Sequence, residues 1–485
     1  MLLHPIALAA RALAARGALG PGASPCYPPG RQAPFVVPPF GRLGSADREV
    51  SRPTDDWVGA MERADRAEAV RVKGVMAPGS RRLSGWPLVA LAFTNVCIAY
   101  AVVFSFPVFL PVLAEEFHAS RGTVAAAFSW AMLMIGVSSM AVGPALDRWG
   151  PRRTFCAGAV VLGTGMCLAA LARSIWVLYV GFGLGGGIGA SFLGWVAHGA
   201  LLGRAKLSRP TTAMGVAFGG MGAGPLVSSP IAQRLIAAMG WRSALALMGV
   251  VACLALLVLN VRFHPSGPVG HGPGVAAPVR GGPGQFAGLR MALATPHFWL
   301  YFVAFFTIGT GMFSVVAHQV AYVVDRGFAP LFAASVFGVT QVLSGVGRVV
   351  FGLLTDRWGQ SATFVASFGM SIAGIGCLLL VQHPESVWFL YAFVALFGIS
   401  FGARGPIMTM MAAGHFGGPA FGTIFGAISL AHGLGTGLGP WMAGVLFDRT
   451  GDYRVTFGLA MLSLAVACGV TLSLSRLPRP SGIPA

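Results

Sequence analysis

The sequence predicts an all-α, polytopic membrane protein with twelve transmembrane helices in two pseudo-symmetric six-helix bundles. Three observations carry this prediction: few charges, many apolar runs, and an internal repeat. Apolar residues make up 55% and charged residues only 10% of the chain, and its mean hydropathy is +0.74. A soluble domain carries about 25% charged residues. This chain therefore has too few charges to cover a surface that faces water.

The apolar runs begin after a polar arm, and each is long enough to cross a bilayer core of about 30 Å. We predict spans at residues 86–113, 123–145, 154–173, 175–201, 211–236, 242–262, 297–324, 331–354, 361–381, 386–411, 421–446 and 454–475. One long Gly- and Pro-rich connection separates six spans from six. The predicted domains are an N-terminal bundle (81–262), a cytoplasmic linker (263–296), a C-terminal bundle (297–476) and a tail (477–485).

Residues 1–80 differ in composition, being rich in Pro, Gly, Ala and Arg. The opening Met1–Gly20 carries Arg without acidic residues, which resembles an organelle transit peptide or a weak secretory signal. We interpret the arm instead as a disordered cytoplasmic segment or as mis-annotated upstream sequence. Met61 and Met76 are alternative starts.

The repeat is clearest in the pattern G-x-x-x-D-R-W-G, which occurs at Gly143–Gly150 and again at Gly352–Gly359. Two further anchors recur in the same order at nearly constant spacing: Ser174–Tyr179 with Ser386–Tyr391, and Gly224-Pro225 with Gly439-Pro440. Repetition at a fixed interval indicates duplicated structural units. The two halves are thus predicted to share one topology.

Charge placement predicts the orientation and argues against nucleic-acid binding. The formal net charge is +18, but the Lys and Arg residues lie mainly in the arm and in short loops. The side that holds the arm and the 143–153 loop carries twice as many Lys and Arg as the other. Such loops face the cytoplasm, so both termini are predicted to be cytoplasmic.

Several function classes lack a sequence signature. The seven cysteines lie apart without a C-x-x-C pattern, so we expect neither a disulfide nor a metal site. No phosphate-binding G-x-x-x-x-G-K-[ST] motif is present. No nucleophile–base set is visible, and we expect neither an enzyme nor a cofactor.

Two six-helix halves with G-x-x-x-D-R-x-G-x-R-R between spans two and three resemble the major facilitator superfamily over about residues 85–475. Every specified position of that pattern matches here: Asp147, Arg148, Gly150, Arg152 and Arg153 follow Gly143. The resemblance implies secondary transport by alternating access. It also implies a gating role for the charges of this loop and of its second copy, Asp356 and Arg357.

Within that superfamily, span five resembles the monocarboxylate-transporter branch and its oxalate/formate relatives. The matches are Ala213-x-Gly215-x-Ala217 and Gly220-x-x-x-Gly224, together with Arg348 in span eight. There are also departures. The carboxylate that some members carry four residues before that Arg is Ser344 here, and the Lys of oxalate carriers is His432. Gly181 lies near the place where drug/proton antiporters carry an Arg, which weakens a drug-efflux interpretation.

Arg348 and Arg404 are the basic residues that lie within apolar runs, and no Asp or Glu lies at similar depth. A charge at mid-bilayer costs about 2.5–3.5 kcal/mol and usually faces a wet cavity or a partner. Guanidinium binds both oxygens of a carboxylate. We therefore predict that both arginines bind the carboxylate of a small organic anion. The alternative is that they bond helix carbonyls or extend toward the cytoplasmic edge.

Other polar residues within the spans are candidates for the same site. His432 is a candidate proton carrier, because imidazole titrates near neutral pH; alternatively the substrate carries the proton as its acid. His318 and Gln319 could line the cavity from span seven. Asn95 and Tyr100 could bond the substrate from span one or bond neighbouring helices.

The sequence as a whole thus predicts a proton-coupled carrier of a small organic anion, most simply a monocarboxylate. Its expected partners are the anion, protons and lipid. We expect a monomer in a bacterial inner (plasma) membrane. Two alternatives stay open: an exporter of a hydrophobic drug or metabolite, and a membrane sensor that does not transport.

Overall fold

The structure is a computed structural model that describes residues 85–203, 205, 210–264, 283–417 and 420–478. The predictions for the arm at 1–80, for most of the linker and for the end of the tail lie outside these residues. The regular elements of the described ranges are all helical. The α-helices are α1 Trp86–Val103, α2 Phe106–Glu116, α3 Arg121–Ala170, α4 Ile175–Leu178, α5 Gly187–Leu193, α6 Trp195–Gly203, α7 Pro210–Phe263, α8 Pro283–Leu293, α9 Pro296–Asp325, α10 Pro330–Leu380, α11 Val387–Phe401, α12 Arg404–Phe416, α13 Phe421–Thr450 and α14 Arg454–Arg476.

Three of these helices are too long for one crossing. Helices α3, α7 and α10 contain 50, 54 and 51 residues, or about 75 Å at 1.5 Å per residue, against a bilayer core of about 30 Å. Each is interrupted at one glycine with positive φ: Gly150 (79°), Gly240 (78°) and Gly359 (77°). Glycine adopts this conformation without steric cost. Nine apolar helices of the described residues can span a membrane, and these three breaks make that number consistent with twelve spans.

The sequence predicted the connections less well than the spans. Helix α3 continues to the glycine of its D-R-W-G pattern, so this stretch is a one-residue helix break rather than an extended loop. Spans predicted as continuous are interrupted at Phe104–Ser105, at Gly194 and at Gly402–Ala403, and span four contains the π-helical turns Tyr179–Gly186. The predicted linker includes helix α8.

Both bundles use the same close helix packing, which supports the repeat. In the first bundle, a Cβ on Gly224 of α7 would overlap the Cys97 carbonyl of α1. In the second, a Cβ on Gly439 of α13 would lie 2.5 Å from the Thr310 carbonyl of α9. Each glycine precedes a proline, and small residues of this kind let membrane helices approach closely.

The bundles meet through α3 against α13 and through α7 against α10. We call the end that carries the two D-R-W-G breaks the loop end and the opposite end the distal end. Along α3, a Cβ on Gly122 would lie 2.7 Å from α13, one on Gly136 would lie 3.3 Å from Gly433, and one on Gly143 would meet nothing within 4 Å. The two helices therefore separate toward the loop end.

The second pair of helices separates in the same direction. A Cβ on Gly338 of α10 would lie 2.9 Å from α7, and one on Gly345 would lie 3.9 Å from the Gly219 carbonyl. One on Gly352, or on Gly215 of α7, would meet nothing within 4 Å. Both helix pairs are thus in contact at the distal end and apart at the loop end.

Candidate functional site

Arg348 lies where the two bundles begin to separate. It follows Gly345 of α10 by one turn, and its Nη1 donates a 2.8 Å hydrogen bond to the Phe218 carbonyl of α7 in the other bundle. Gly402 leaves room for this side chain, since a Cβ there would lie 2.8 Å from Arg348 Cγ. The side chain is half-buried. A long cation thus crosses the interface between the bundles.

The charge of Arg348 has no protein counterion among the described residues. The ion pairs of these residues involve other arginines. Tyr100 of α1 interacts electrostatically with Arg348 and is 2% exposed. The helix break at Gly194 accommodates this tyrosine, because a Cβ on Gly194 would lie 3.2 Å from the Tyr100 hydroxyl. A guanidinium with free donors and no anion is suited to receive one.

Arg404 differs, because its described contacts all lie within the second bundle. It is 3% exposed. Its Nη2 donates to the Ser371 hydroxyl at 2.5 Å and to the Ser367 carbonyl at 2.8 Å, while the guanidinium lies 4.4 Å from the Phe368 ring centre. Its Nη1 is 3.2 Å from Met312 Sδ. Arg404 and Arg348 thus bond to different residues, Arg404 within its own bundle and Arg348 across the interface.

His432 of α13 lies between phenylalanine rings. The ring centres of Phe305 and Phe313 are 6.2 and 6.1 Å away, both edge to face. Phe313 in turn contacts Phe104 of the first bundle, with ring centres 6.2 Å apart. His432 is half-buried, and this chain of rings places it near the bundle interface.

His318 and Gln319 occupy the distal part of α9. Both ring nitrogens of His318 have partners: Nδ1 is 3.0 Å from the Tyr453 hydroxyl, and Nε2 is 2.9 Å from the Pro440 carbonyl. Gln319 is 2% exposed, and neither atom of its amide has a hydrogen-bond partner among the described residues. An unpaired buried amide is rare.

Asn95 lies inside the first bundle rather than beside Arg348. Its Oδ1 accepts a 2.7 Å hydrogen bond from Asn260 Nδ2, and its own amide donates to the Leu91 carbonyl at 2.9 Å. Asn95 is fully buried. Of the two polar candidates on α1, only Tyr100 is near Arg348.

The predicted gating charges lie around the loop-end breaks. Asp147 and Arg152 are half-buried. The other four are exposed: Arg148, Arg153, Asp356 and Arg357. Asp356 and Arg357 lie more than two turns beyond Arg348 on α10, toward the loop end.

A polar cluster at the distal end joins the two bundles, and we call Arg121, Asp325, Asp448 and Tyr453 the distal lock. Arg121 at the start of α3 donates to both carboxylate oxygens of Asp325, at 2.5 and 2.7 Å, and to the Tyr453 hydroxyl at 2.9 Å. Asp448 accepts from the backbone amides of Arg121 and Gly122 at 2.9 and 2.8 Å.

The distal lock was not predicted from the sequence. Arg121 and Asp325 are far apart in the chain, and each stands in an ordinary loop position. Their pairing follows from the contact between bundles, so one sequence contains no signal for it.

Comparison with known proteins adds independent support. The profile of the Major Facilitator Superfamily matches residues 91–440 and 336–484. Monocarboxylate transporter 13 of Bos taurus is 32% identical over 394 residues, covering 80% of this chain and 89% of the relative. Monocarboxylate transporter 11 of Mus musculus is 31% identical over 382 residues, covering 77% and 83%.

Solved structures share the fold at low sequence identity. A bacterial homolog of the human lysosomal transporter Spinster, in an inward-facing and unoccupied conformation, has a TM-score of 0.61 at 14% identity and covers 82% of this chain and 98% of its own. The nucleoside transporter NupG has a TM-score of 0.64 at 11% identity, covering 79% and 99%.

These relatives are transporters rather than enzymes, as the sequence predicted. The long apolar helices likewise confirm an integral membrane protein. The family match spans most of the chain, and the chain covers most of each relative. The chain therefore belongs to the Major Facilitator Superfamily, as a monocarboxylate-transporter-like membrane transporter.

Proposed function

We propose that this transporter carries a small monocarboxylate, coupled to protons, by alternating access between its two bundles. The observation that carries the proposal is Arg348. This cation is half-buried, bridges to the other bundle through the Phe218 carbonyl, and has no counterion among the described residues. A substrate carboxylate would supply the missing negative charge through a bidentate pair.

One carboxylate suits the site better than two. Arg404, the other arginine within the apolar runs, already bonds Ser367 and Ser371 inside the second bundle. His432 is flanked by Phe305 and Phe313. Among the donors of Arg404, only Nε lacks a partner in the described residues, so a second carboxylate would have to displace these bonds to form a bidentate pair. The monocarboxylate transporters among the relatives support the same substrate class.

Alternating access is supported by the unequal contact between bundles. Their distal ends are joined by the Arg121–Asp325 pair, while glycines near the loop end face open space. With the loop end cytoplasmic, as the distribution of Lys and Arg predicts, the site is open to the cytoplasm. We propose that the D-R-W-G charges close this end in the opposite state, when the distal lock separates.

A proton gradient is our proposed energy source. The spans carry no deep Asp or Glu that could coordinate a metal cation, and His432 near the interface can exchange a proton. Cotransport of the protonated substrate acid gives the same stoichiometry without His432. We further propose a monomer in the plasma (inner) membrane with both termini in the cytoplasm.

The test is to replace Arg348 by Gln or Lys and to measure carboxylate binding and uptake in liposomes. Loss of one charge-assisted bidentate contact, about 1.5–3 kcal/mol, predicts a 10- to 100-fold lower affinity for Arg348→Gln. Lys cannot form the planar fork, so Arg348→Lys should recover affinity only in part. The control is Arg173→Gln, an exposed arginine.

Wild-type affinity and uptake in Arg348→Gln would refute the proposal and would favour an exporter of hydrophobic compounds. Ligand binding without counterflow in the wild-type protein would instead indicate a sensor. Both alternatives thus have an outcome of their own in this experiment.

A further inference from the structure

Aromatic rings close the distal side of the space around Arg348. Tyr100 lies in the last turn of α1 and Phe104 directly follows that helix, with ring centres 5.4 Å apart. Phe104 meets Phe313 of the other bundle at 6.2 Å, and Phe313 meets Phe401 at 6.0 Å. We call Tyr100, Phe104, Phe313 and Phe401 the aromatic roof.

The roof comes from three separate helices and from both bundles. Phe104 lies at the break between α1 and α2, and Phe401 ends α11 just before the break at Gly402. Discontinuous helices of this kind line substrate sites in transporters. Phe104 and Phe313 are buried, with 5% and 8% of their surface exposed, and Phe401 is half-buried; a ligand ring would reach them by taking the place of contacts between the two bundles.

The roof borders the cation directly. Phe401 directly precedes Gly402, on which a Cβ would lie 2.8 Å from Arg348 Cγ, and Tyr100 interacts electrostatically with Arg348. Phe218, whose carbonyl binds Arg348, makes an edge contact with Trp195 at 6.4 Å. Trp195 is 42% exposed. A ligand whose carboxylate binds Arg348 would therefore have aromatic faces and edges around the rest of its body.

We propose that the preferred substrate is a monocarboxylate with an aromatic ring, its carboxylate on Arg348 and its ring against Phe104 and Phe313. This inference rests on the proposed function and narrows it. Short acids such as acetate and lactate are too small to contact Phe104 and Phe313 while their carboxylate is bound to Arg348. A flat ring would make offset or edge contacts, the arrangements that aromatic pairs favour.

The experiment compares ligands on purified full-length protein by isothermal titration calorimetry. The panel is benzoate, phenylacetate, cyclohexanecarboxylate, acetate and lactate, with benzamide as the neutral analogue of benzoate. We expect benzoate and phenylacetate to bind about tenfold more tightly than acetate and lactate, from two ring contacts of ordinary strength. Benzoate should also bind more tightly than the saturated ring and than benzamide.

The variants Phe104→Leu and Phe313→Leu should lower benzoate affinity several-fold and leave acetate affinity unchanged. The control is Phe364→Leu, a fully buried phenylalanine of α10 that packs on Phe368, which should change neither. This control separates a general packing defect from loss of a ring contact.

The two proposals fail in different ways. If acetate and lactate bind as tightly as benzoate and all require Arg348, the aromatic preference is wrong and monocarboxylate transport stands. If benzamide binds as tightly as benzoate, the carboxylate is not recognised and the proposed function fails with it. If the wild-type preference is present but both Leu variants retain it, the roof is not its source.

Discussion

At the scale of single residues, Arg348 and Arg404 show how one residue type serves two purposes. In the sequence the two are alike, since each is a guanidinium within an apolar run. In the structure, their hydrogen-bond partners differ. Arg404 donates to Ser367 and Ser371 inside its own bundle, whereas Arg348 donates to the Phe218 carbonyl across the interface. The chemistry available to each follows from these neighbours.

Arg404→Gln should therefore lower stability without weakening ligand binding. The substitution removes the charge-assisted hydrogen bonds to the Ser371 hydroxyl and the Ser367 carbonyl, at a cost of about 1–3 kcal/mol. We expect a lower unfolding temperature of the purified protein in a thermal-shift measurement, with carboxylate affinity of the folded fraction unchanged. Arg348→Gln is the matched variant and should show the opposite pattern. An Arg404→Gln protein that is stable but no longer binds would contradict this assignment.

The difference between these arginines could not be read from the sequence. Whether a side chain faces the interface depends on the rotation of its helix, and here also on serines of a neighbouring helix. The imbalance of charge predicted that a cation would need an anion. It could not predict that Arg404 would be accommodated by hydroxyl, carbonyl and ring contacts instead.

At the scale of helices, α3 and α13 pack antiparallel through glycine contacts. Gly122 packs on Gly444 and Gly136 on Gly433. Gly143 and Gly426 lie seven residues beyond the second pair, each toward the loop end, and a Cβ on either would meet nothing within 4 Å. If the two helices pivot rather than slide, these glycines are the next pair to meet when the loop end closes.

We therefore expect the double variant Gly143→Cys with Gly426→Cys, in a background without native cysteines, to cross-link when the loop end is closed. Oxidation should then stop transport, and reduction should restore it. The control pairs Gly143→Cys with Gly469→Cys on α14, a helix that packs mainly on α9 and α10, where we expect much less cross-linking. Equal cross-linking of both pairs, measured by gel shift, would contradict the pivoting motion.

Most of the element pattern was accessible from the sequence. A backbone in lipid must satisfy its own hydrogen bonds, so long apolar runs have to be helices. The interruptions at Phe104–Ser105, Gly194 and Gly402–Ala403 were not predicted. Each involves one or two residues within an apolar run, which leaves no pattern in the sequence. At Gly194 the reason is visible only in the packing, because the Tyr100 hydroxyl lies against this glycine.

At the scale of the whole molecule, the distal lock holds one end of the two bundles together. Within the described part of the chain, the lock contains one ion pair between the bundles, which joins Arg121 to Asp325. Their side chains are 20% and 34% exposed. A partly exposed pair contributes on the order of 1 kcal/mol, which is enough to alter the populations of two states of similar energy.

Asp325→Asn should thus shift the protein toward the state that is open at the distal end. The expected change is about fivefold in the ratio of the two states, from about 1 kcal/mol. Hydrogen–deuterium exchange of the start of α3 and the end of α13 measures it, and both segments should exchange faster.

The control is Glu116→Gln. It breaks the ion pair with Arg242 near the same end, but both partners belong to the first bundle. Exchange should therefore stay unchanged at the interface in this variant. Equal acceleration in both variants would show that the lock does not hold the bundles together.

The carboxylate of Asp448 has a further consequence for the transport cycle. It caps the first amides of α3 from the opposite bundle, through Arg121 and Gly122, and such a cap contributes about 1 kcal/mol. In the proposed cycle, an empty carrier would forfeit this cap each time it turned outward, and a bound solute would have to compensate for it. We therefore expect reorientation without cargo to limit turnover, so that swapping one solute for another across the membrane outpaces net movement in a single direction.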